Sequence, residues 1–210
     1  MDDPYRIRDV ASLRAVVGNE IPMVALKVER TLTDDARAYI ARSPFVVLTT
    51  SDEHGNLDAS PKGDEPGFVH VADDATLVFP DRPGNRLVYG HLNILRNPHV
   101  GLLFLVPGTS ETLRVNGRAE LTRDPALLER LAARGKPAVL AVRVHVDECF
   151  FHCGKAFIRS RLWQPDSWGA KHAVSFGRMF AKKLGQDGDS ASGTAAAIDE
   201  QIAADYRDNL

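Results

Sequence analysis

The chain has 210 residues, 44% of them hydrophobic and 26% charged, and a formal net charge of −2. This composition is typical of one globular domain with helical additions. The small net charge argues against nucleic acid or an anionic membrane as a partner bound through bulk charge. No apolar run approaches membrane-spanning length. The acidic opening Met1-Asp2-Asp3-Pro4 is not followed by the apolar region of a signal peptide, so we expect a cytoplasmic protein.

Residues 1–44 predict two helices. The first runs over residues 9–17. The second runs over residues 34–42, because Thr33 can accept a hydrogen bond from its first turn and two aspartates there suit the helix dipole. We expect these helices to cover one end of a sheet or to form a dimer contact.

Short runs of β-branched and aromatic residues follow, separated by turn residues. Because Pro61 cannot donate to a strand ladder, its strand is expected at a sheet edge or at a bulge. The last strand is expected to alternate regularly, with His145 and Cys149 on one face and Val146 on the other. The predicted strands are residues 45–50, 57–61, 68–72, 76–79, 99–106, 111–121 and 138–151. Adjacent strands of this kind predict a mainly β fold with added helices, closed as an antiparallel barrel.

Residues 76–86 join a strand to a short helix, predicted over residues 87–95, through a turn rich in proline and glycine. The N–H groups at a helix start have no intrahelical partner, and the helix dipole favours negative charge there. Arg82 and Arg86 add forked donors that match phosphate oxygens. The segment is either an anion site or a surface turn with two solvated arginines.

The C-terminal part predicts one helix over residues 171–184 and another over residues 195–206. A flexible linker is expected near residues 185–194, which are rich in glycine, serine and aspartate. The expected organisation is therefore N-terminal helices at 1–44, a barrel domain at 45–165 and C-terminal helices at 166–210.

Several polar residues can face one groove if the strands form a meander. Ser60 and Lys62 share one face of their strand, as Thr112 and Arg114 do on a later strand. An arginine-lined groove with hydroxyl donors suits a phosphorylated ligand with polar ring edges. The alternative is a set of surface ion pairs, each worth little, between Lys62, Arg86 or Arg114 and Asp58, Asp81 or Glu111.

Metal-ligating residue types occur near the end of the last predicted strand, at His145, Cys149, His152 and Cys153. Strand alternation puts His152 on the face opposite the other three, so no metal site is predicted. Cys149 and Cys153 are expected as two buried thiols, too far apart for a disulfide. The chain lacks a nucleophile elbow and the usual nucleotide fingerprints, and no residue stands out as catalytic.

Four segments resemble the pyridoxamine 5′-phosphate oxidase-like family of FMN-binding split-barrel proteins, and more narrowly a bacterial branch of FMN-dependent enzymes of unknown substrate. They are residues 57–63, 80–85, 97–104 and 111–119. The motifs N-P-x-V-x-L-L-F and R-V-N-G-x-A are the more specific parts, and the resemblance covers residues 45–163. It implies a split antiparallel β-barrel that forms a homodimer with FMN at the subunit interface.

The resemblance also implies which residues hold the cofactor. Those expected along the flavin ring are Asp58, Ser60, Pro61, Lys62, Pro80 and Asp81. Those expected at the phosphate are Arg82, Asn85 and Arg86. Thr112 falls where the family places a polar side chain near FMN, and Arg114 shares its strand face. Because Leu87 follows Arg86 where relatives often carry a second basic residue, Arg82 is expected to supply that charge.

The resemblance predicts an FMN-dependent oxidoreductase of unknown substrate, in which a donor passes hydride to flavin N5 and an acceptor reoxidises the ring. Lys62, near the N1/O2 edge, would stabilise the reduced ring. The expected partners are a second copy of the chain and a small-molecule substrate or electron donor, with no nucleic acid and no membrane. The alternatives are a flavin store or redox sensor, a deazaflavin-dependent reductase, and a barrel without flavin. The substrate-binding residues of the vitamin B6 oxidase are not visible, so that activity is not predicted.

Overall fold

The structure, a computed structural model, describes residues 3–208 apart from the side chains of residues 189 and 190. Met1 and Asp2, which form part of the acidic opening, lie outside the described residues. The chain forms two compact units, of which one ends at Trp163 and the other begins at Gln164. In the described part of the chain, no helix is both long enough and apolar enough to cross a bilayer.

The first unit is built on one antiparallel sheet of seven strands. The strands are β1 (Phe45–Ser51), β2 (Leu57–Gly63), β3 (His70–Asp73), β4 (Thr76–Asp81), β5 (His99–Leu105), β6 (Thr112–Thr122) and β7 (Leu140–His152). Their order across the sheet is β2-β1-β5-β6-β7-β4-β3. β2 is an edge strand, as predicted, because the missing N–H of Pro61 removes no ladder hydrogen bond there.

Six helices accompany the strands in the described part of this unit. They are α1 (Val10–Val17), α2 (Pro22–Ala25), α3 (Asp34–Arg42), α4 (Tyr89–Arg96), α5 (Pro125–Arg130) and α6 (Lys155–Ser160). The predicted range of α3 is confirmed, because its start is fixed locally: Thr33 Oγ1 accepts a hydrogen bond from the backbone N–H of Ala36 at 3.2 Å. α3 buries Ala36 and Ile40, whereas α1 and α2 bury no residue.

One hydrophobic core connects strands from both ends of the sheet order. It includes Val46 and Leu48 of β1 together with Leu77 and Phe79 of β4. A flat sheet would keep β1 and β4 apart, so the sheet must curl around this core. The predicted split β-barrel with added helices is therefore confirmed, and its open side lies between β2 and β4.

A bulge in the β6–β7 pair changes the faces that later residues of β7 occupy. Asn116 pairs with Glu148 and Gly117 pairs with Val146, which leaves Asp147 without a cross-strand partner. An extra residue on one strand reverses the alternation beyond it. The two strands approach so closely at this point that β6 carries a glycine there.

The predicted regular alternation of β7 is therefore wrong after the bulge. Cys149 lies in the core with Val146, not on the face of His145. Burial raises the pKa of the Cys149 thiol to about 11, so it stays protonated at neutral pH. Cys153 is exposed, which corrects the expectation of two buried thiols.

The second unit contains a short 3₁₀ turn and the helices α7 (Phe176–Lys183) and α8 (Gly188–Asp208). Gly177 lets the two helices approach, because a Cβ there would lie 2.1 Å from the carbonyl oxygen of Ala195. Asp199 on α8 accepts hydrogen bonds from Ser175 Oγ at 2.5 Å and from the Gly177 N–H at 2.8 Å. α8 begins inside the predicted linker, so the connection is shorter than expected.

The bulge predicts a specific intolerance at Gly117. A Cβ added there would lie 2.1 Å from the carbonyl oxygen of His145, which is backbone and cannot rotate away. Gly117→Ala should lower the free energy of unfolding by about 1–3 kcal/mol or more, measured by urea denaturation. Gly84→Ala is the control, because its Cβ would meet no atom within 4 Å. Equal stability of the two variants would contradict this account of the bulge.

Candidate functional site

Two ion pairs span the open side of the barrel. Lys62 Nζ on β2 lies 3.0 Å from Asp81 Oδ1 at the end of β4, and their side chains are 19% and 16% exposed. The second pair lies just beyond the first, because Arg82 follows Asp81 and Asp64 lies two residues after Lys62. Arg82 Nε donates a hydrogen bond to Asp64 Oδ2 at 2.9 Å, and Arg82 Nη2 lies 2.8 Å from the same oxygen. These pairs join strand ends that share no backbone hydrogen bond.

The inward face of β2 carries a row of polar side chains next to Lys62. Asp58, Ser60 and Lys62 are half-buried and alternate with exposed residues, including Pro61, as the sequence predicted. Their cross-strand partners on β1 are the buried residues Thr50, Leu48 and Val46. The polar row therefore lies on the core side of the sheet, at the open side of the barrel.

Helix α4 packs over this polar row. Asn93 Nδ2 donates a hydrogen bond to Thr50 Oγ1 at 3.0 Å. A Cβ at Gly90 would lie 3.1 Å from Asp58 Oδ2, so the glycine lets the helix backbone come close to the carboxylate. Helix α4 in this way contacts both β1 and β2.

His91, in the same helix turn, is a buried polar residue that sequence reasoning missed. It is 7% exposed, and its Nε2 lies 3.4 Å from Asp81 Oδ1, yet neither ring nitrogen forms a hydrogen bond. Burial lowers the pKa of His91; the carboxylates of Asp81 and Asp58 oppose this effect and Lys62 reinforces it. The imidazole is therefore neutral at neutral pH.

A helical pattern in the sequence could have found this residue. His91 and Ile94 are three positions apart, and both lie on the buried face of α4 together with Gly90. Most buried polar atoms have a hydrogen-bond partner, so a histidine whose buried ring nitrogens have none is an exception. Only the three-dimensional structure shows that His91 belongs to the exceptions.

The turn between β4 and α4 has an unusual backbone. Arg86 has φ 61° and Val88 has φ 48°, a region that β-branched residues rarely adopt. Asn85 Oδ1 accepts a hydrogen bond from the Leu87 N–H at 3.0 Å. No side chain caps the start of α4. The predicted arrangement of strand, turn and helix start is present, although α4 begins at Tyr89, later than expected.

The two arginines of this turn are in different electrostatic states. Arg82 is paired with Asp64, a carboxylate that is 7% exposed, so most of its charge is compensated. Arg86 is exposed and forms no salt bridge or side-chain hydrogen bond within residues 3–208. The alternative of ion pairing thus holds for Lys62 and not for Arg86 among the described residues, and the pairing of Arg82 with Asp64 was not predicted.

Thr112 and Arg114 are not part of this cluster within one chain. β6 is separated from β2 by β1 and β5, and Leu113 and Val115 point into the core. Arg114 is therefore exposed on the outer face, where its guanidinium is 5.9 Å from the centroid of the Phe150 ring, whereas Thr112 is buried and only 4% exposed. Within one chain, the structure therefore does not bring Arg114 into the groove of Lys62, and the prediction that these residues share one ligand stays a prediction.

In the described part of the chain, no three His, Cys, Asp or Glu residues are placed to hold a metal ion. The residues that the structure does bring together are Asp58, Ser60, Lys62, Asp81 and His91, with Pro80, Arg82, Asn85 and Arg86 in the adjoining strand end and turn.

The ion pair across the open side allows a stability test. Lys62→Met or Asp81→Asn alone leaves a partly buried charge unpaired and should lower the free energy of unfolding by about 1–3 kcal/mol. The double variant removes both charges, so it should be more stable than the two single losses added together. Urea denaturation of all four proteins measures the coupling. Strict additivity would show that the pair does not connect β2 to β4.

Residues 32–153 match the family model of pyridoxamine 5′-phosphate oxidase. Similar solved structures include a protein assigned as a pyridoxamine 5′-phosphate oxidase from Lactobacillus delbrueckii, 26% identical, where the match covers 58% of this chain and 95% of that one with a TM-score of 0.46. An FMN-binding protein from Syntrophomonas wolfei is 10% identical over 69% of this chain and 97% of its own, with a TM-score of 0.44. No curated protein matches the chain.

The family match covers more than half of the sequence and includes every strand of the barrel. It contains the polar row of β2, the turn with Arg86 and helix α4. The chain belongs to the pyridoxamine 5′-phosphate oxidase family and has its split-barrel fold.

Proposed function

We propose that the protein is an FMN-dependent oxidoreductase that works as a homodimer on a small-molecule substrate. The observation that carries the proposal is the exposed side chain of Arg86, which has no salt bridge among the described residues and lies in the turn between the end of β4, where Asp81 pairs with Lys62, and the uncapped start of α4. The family match supports a flavin as the ligand.

The donors at this place suit a phosphorylated flavin. Arg86 and the first N–H groups of α4 provide positive charge and hydrogen-bond donors for a phosphate. Lys62 provides a cation on β2, and Ser60 provides a hydroxyl on the same strand face. The set fits a ligand with a dianionic end and a polar ring edge.

The chemistry of hydride acceptance belongs to the flavin when it is bound. The chain's part is to bind, orient and compensate charge. Arg86 would hold the phosphate, and Asp58 to Lys62 would lie along the ring. Lys62 would stabilise the negative charge that the reduced ring carries, and Asp81 keeps the lysine in place through the 3.0 Å contact.

We propose the homodimer because the predicted cofactor residues lie on different faces of the sheet. Arg114 is exposed on the outer face, whereas Lys62 and Asp81 lie at the core side of its open edge. A second copy could present its own Arg114 to the first copy's Lys62 and Arg86, which is how we propose that one FMN is shared between subunits.

A substitution at the phosphate end tests this proposal. Arg86→Ala should weaken FMN binding by roughly 10–100-fold, the loss expected for one charge-assisted hydrogen bond. Quenching of flavin fluorescence during titration measures the Kd. Arg96→Ala, at the other end of the same helix, is the matched control and should bind like the unaltered protein. Equal affinity of the two variants would remove Arg86 from the site, and no binding by the unaltered protein would refute the flavin proposal.

A further inference from the structure

We propose that His91 is a positioning residue that takes up one proton when the bound flavin is reduced and releases it on reoxidation. The inference rests on the proposed flavin site. His91 is placed to act through Asp81 and Lys62 and not by contact with the ring. It would thereby set how the reduction potential depends on pH.

The imidazole of His91 is buried, and its ring nitrogens are unpaired. His91 is 7% exposed, and neither Nδ1 nor Nε2 has a hydrogen-bond partner. An unsatisfied buried polar group is unfavourable, and such groups often have a role that the resting structure does not display. Because Nε2 is already 3.4 Å from Asp81 Oδ1, a small rotation would make an ion pair once the ring is protonated.

The charged groups around His91 are two carboxylates and one lysine. β2 presents Lys62 and Asp58, and the end of β4 presents Asp81. β1 presents the uncharged Thr50 to α4, and among the described residues no charged group of β6, which also packs against α4, acts on His91. The two carboxylates exceed the one lysine, so the surrounding charges alone favour a cation. Burial is what keeps the resting imidazole neutral.

Reduction would shift this balance. A hydride donor delivers two electrons and one proton to the ring, so the ring gains one negative charge unless a second proton arrives. That charge would attract Lys62 and weaken its repulsion of a proton on His91. The second proton comes from water and stays on the imidazole, where Asp81 accepts its hydrogen bond. Reoxidation removes the hydride equivalent and returns the His91 proton to water, so charge and atoms balance.

The experiment is the reduction potential of the FMN-loaded protein between pH 6 and pH 8, measured by equilibration with a reference dye during dithionite reduction. Two protons per two electrons make the potential fall about twice as steeply with pH as one proton does. We expect the steeper dependence for the unaltered protein and the shallower one for His91→Gln. His99→Gln is the matched control, because His99 is exposed on β5 and should leave the steeper dependence unchanged.

A measurement without any variant covers the case in which His91→Gln fails to fold. Proton uptake during electrochemical reduction of the FMN-loaded protein, in which the electrode supplies electrons and no protons, is followed with a pH indicator in weakly buffered solution and should be two protons per flavin in the unaltered protein. Uptake of one proton, or equal pH dependence of the unaltered protein and His91→Gln, would overturn the role of His91 while leaving the flavin site intact. A protein that retains no FMN would instead refute both proposals.

Discussion

Two ion pairs connect the strand ends on either side of the barrel's open side. β2 and β4 lie far apart in the sheet order, and no backbone hydrogen bonds join them among the described residues. Lys62–Asp81 and Asp64–Arg82 bring the two strand ends together. Charges this far removed from water are unfavourable unless they are paired, so each strand end specifies the position of the other. Because side chains and not a backbone ladder connect β2 to β4, polar side chains line the open side. A barrel closed by backbone hydrogen bonds would not have them there.

The position of helix α4 depends on this closure between β2 and β4. β4 ends at Asp81, and the chain must turn through residues with positive φ to bring α4 back over the polar row. The turn leaves Arg86 free, while Gly90 brings the helix backbone close to Asp58. His91 is buried behind Asp81 for the same reason. The positions of Arg86, the candidate phosphate-binding residue, and of the unpaired imidazole of His91 therefore both depend on the closure between β2 and β4.

The sequence predicted the features that depend on neighbouring residues. The start of α3 is fixed by Thr33 and its own first turn, and the edge position of β2 follows from Pro61. The resemblance in the strand motifs indicated the fold correctly. The succession of strand, turn and helix around Arg86 was also predictable, because these elements are contiguous in the chain, whereas anion binding there stays a prediction.

The features that were missed depend on distant residues. The bulge arises where Gly117 of β6 meets β7, so no local pattern showed that Cys149 would enter the core. The pairing of Arg82 with Asp64 joins residues 18 positions apart in sequence. The separation of Thr112 and Arg114 on β6 from the polar row on β2 could be predicted only with knowledge of the strand order. A pattern of alternation shows which residues share a face of one strand, but not which strands are neighbours.

The central claim is that one flavin site is built from two subunits, with Arg86 from one chain and Arg114 from the other. The most direct test is to exchange subunits between Arg86→Ala and Arg114→Ala proteins, each of which should retain little FMN alone. In a twofold dimer mixed one to one, roughly a quarter of the sites would contain both arginines and should recover FMN binding. A mixture that retains no more FMN than the separate variants would contradict the shared site.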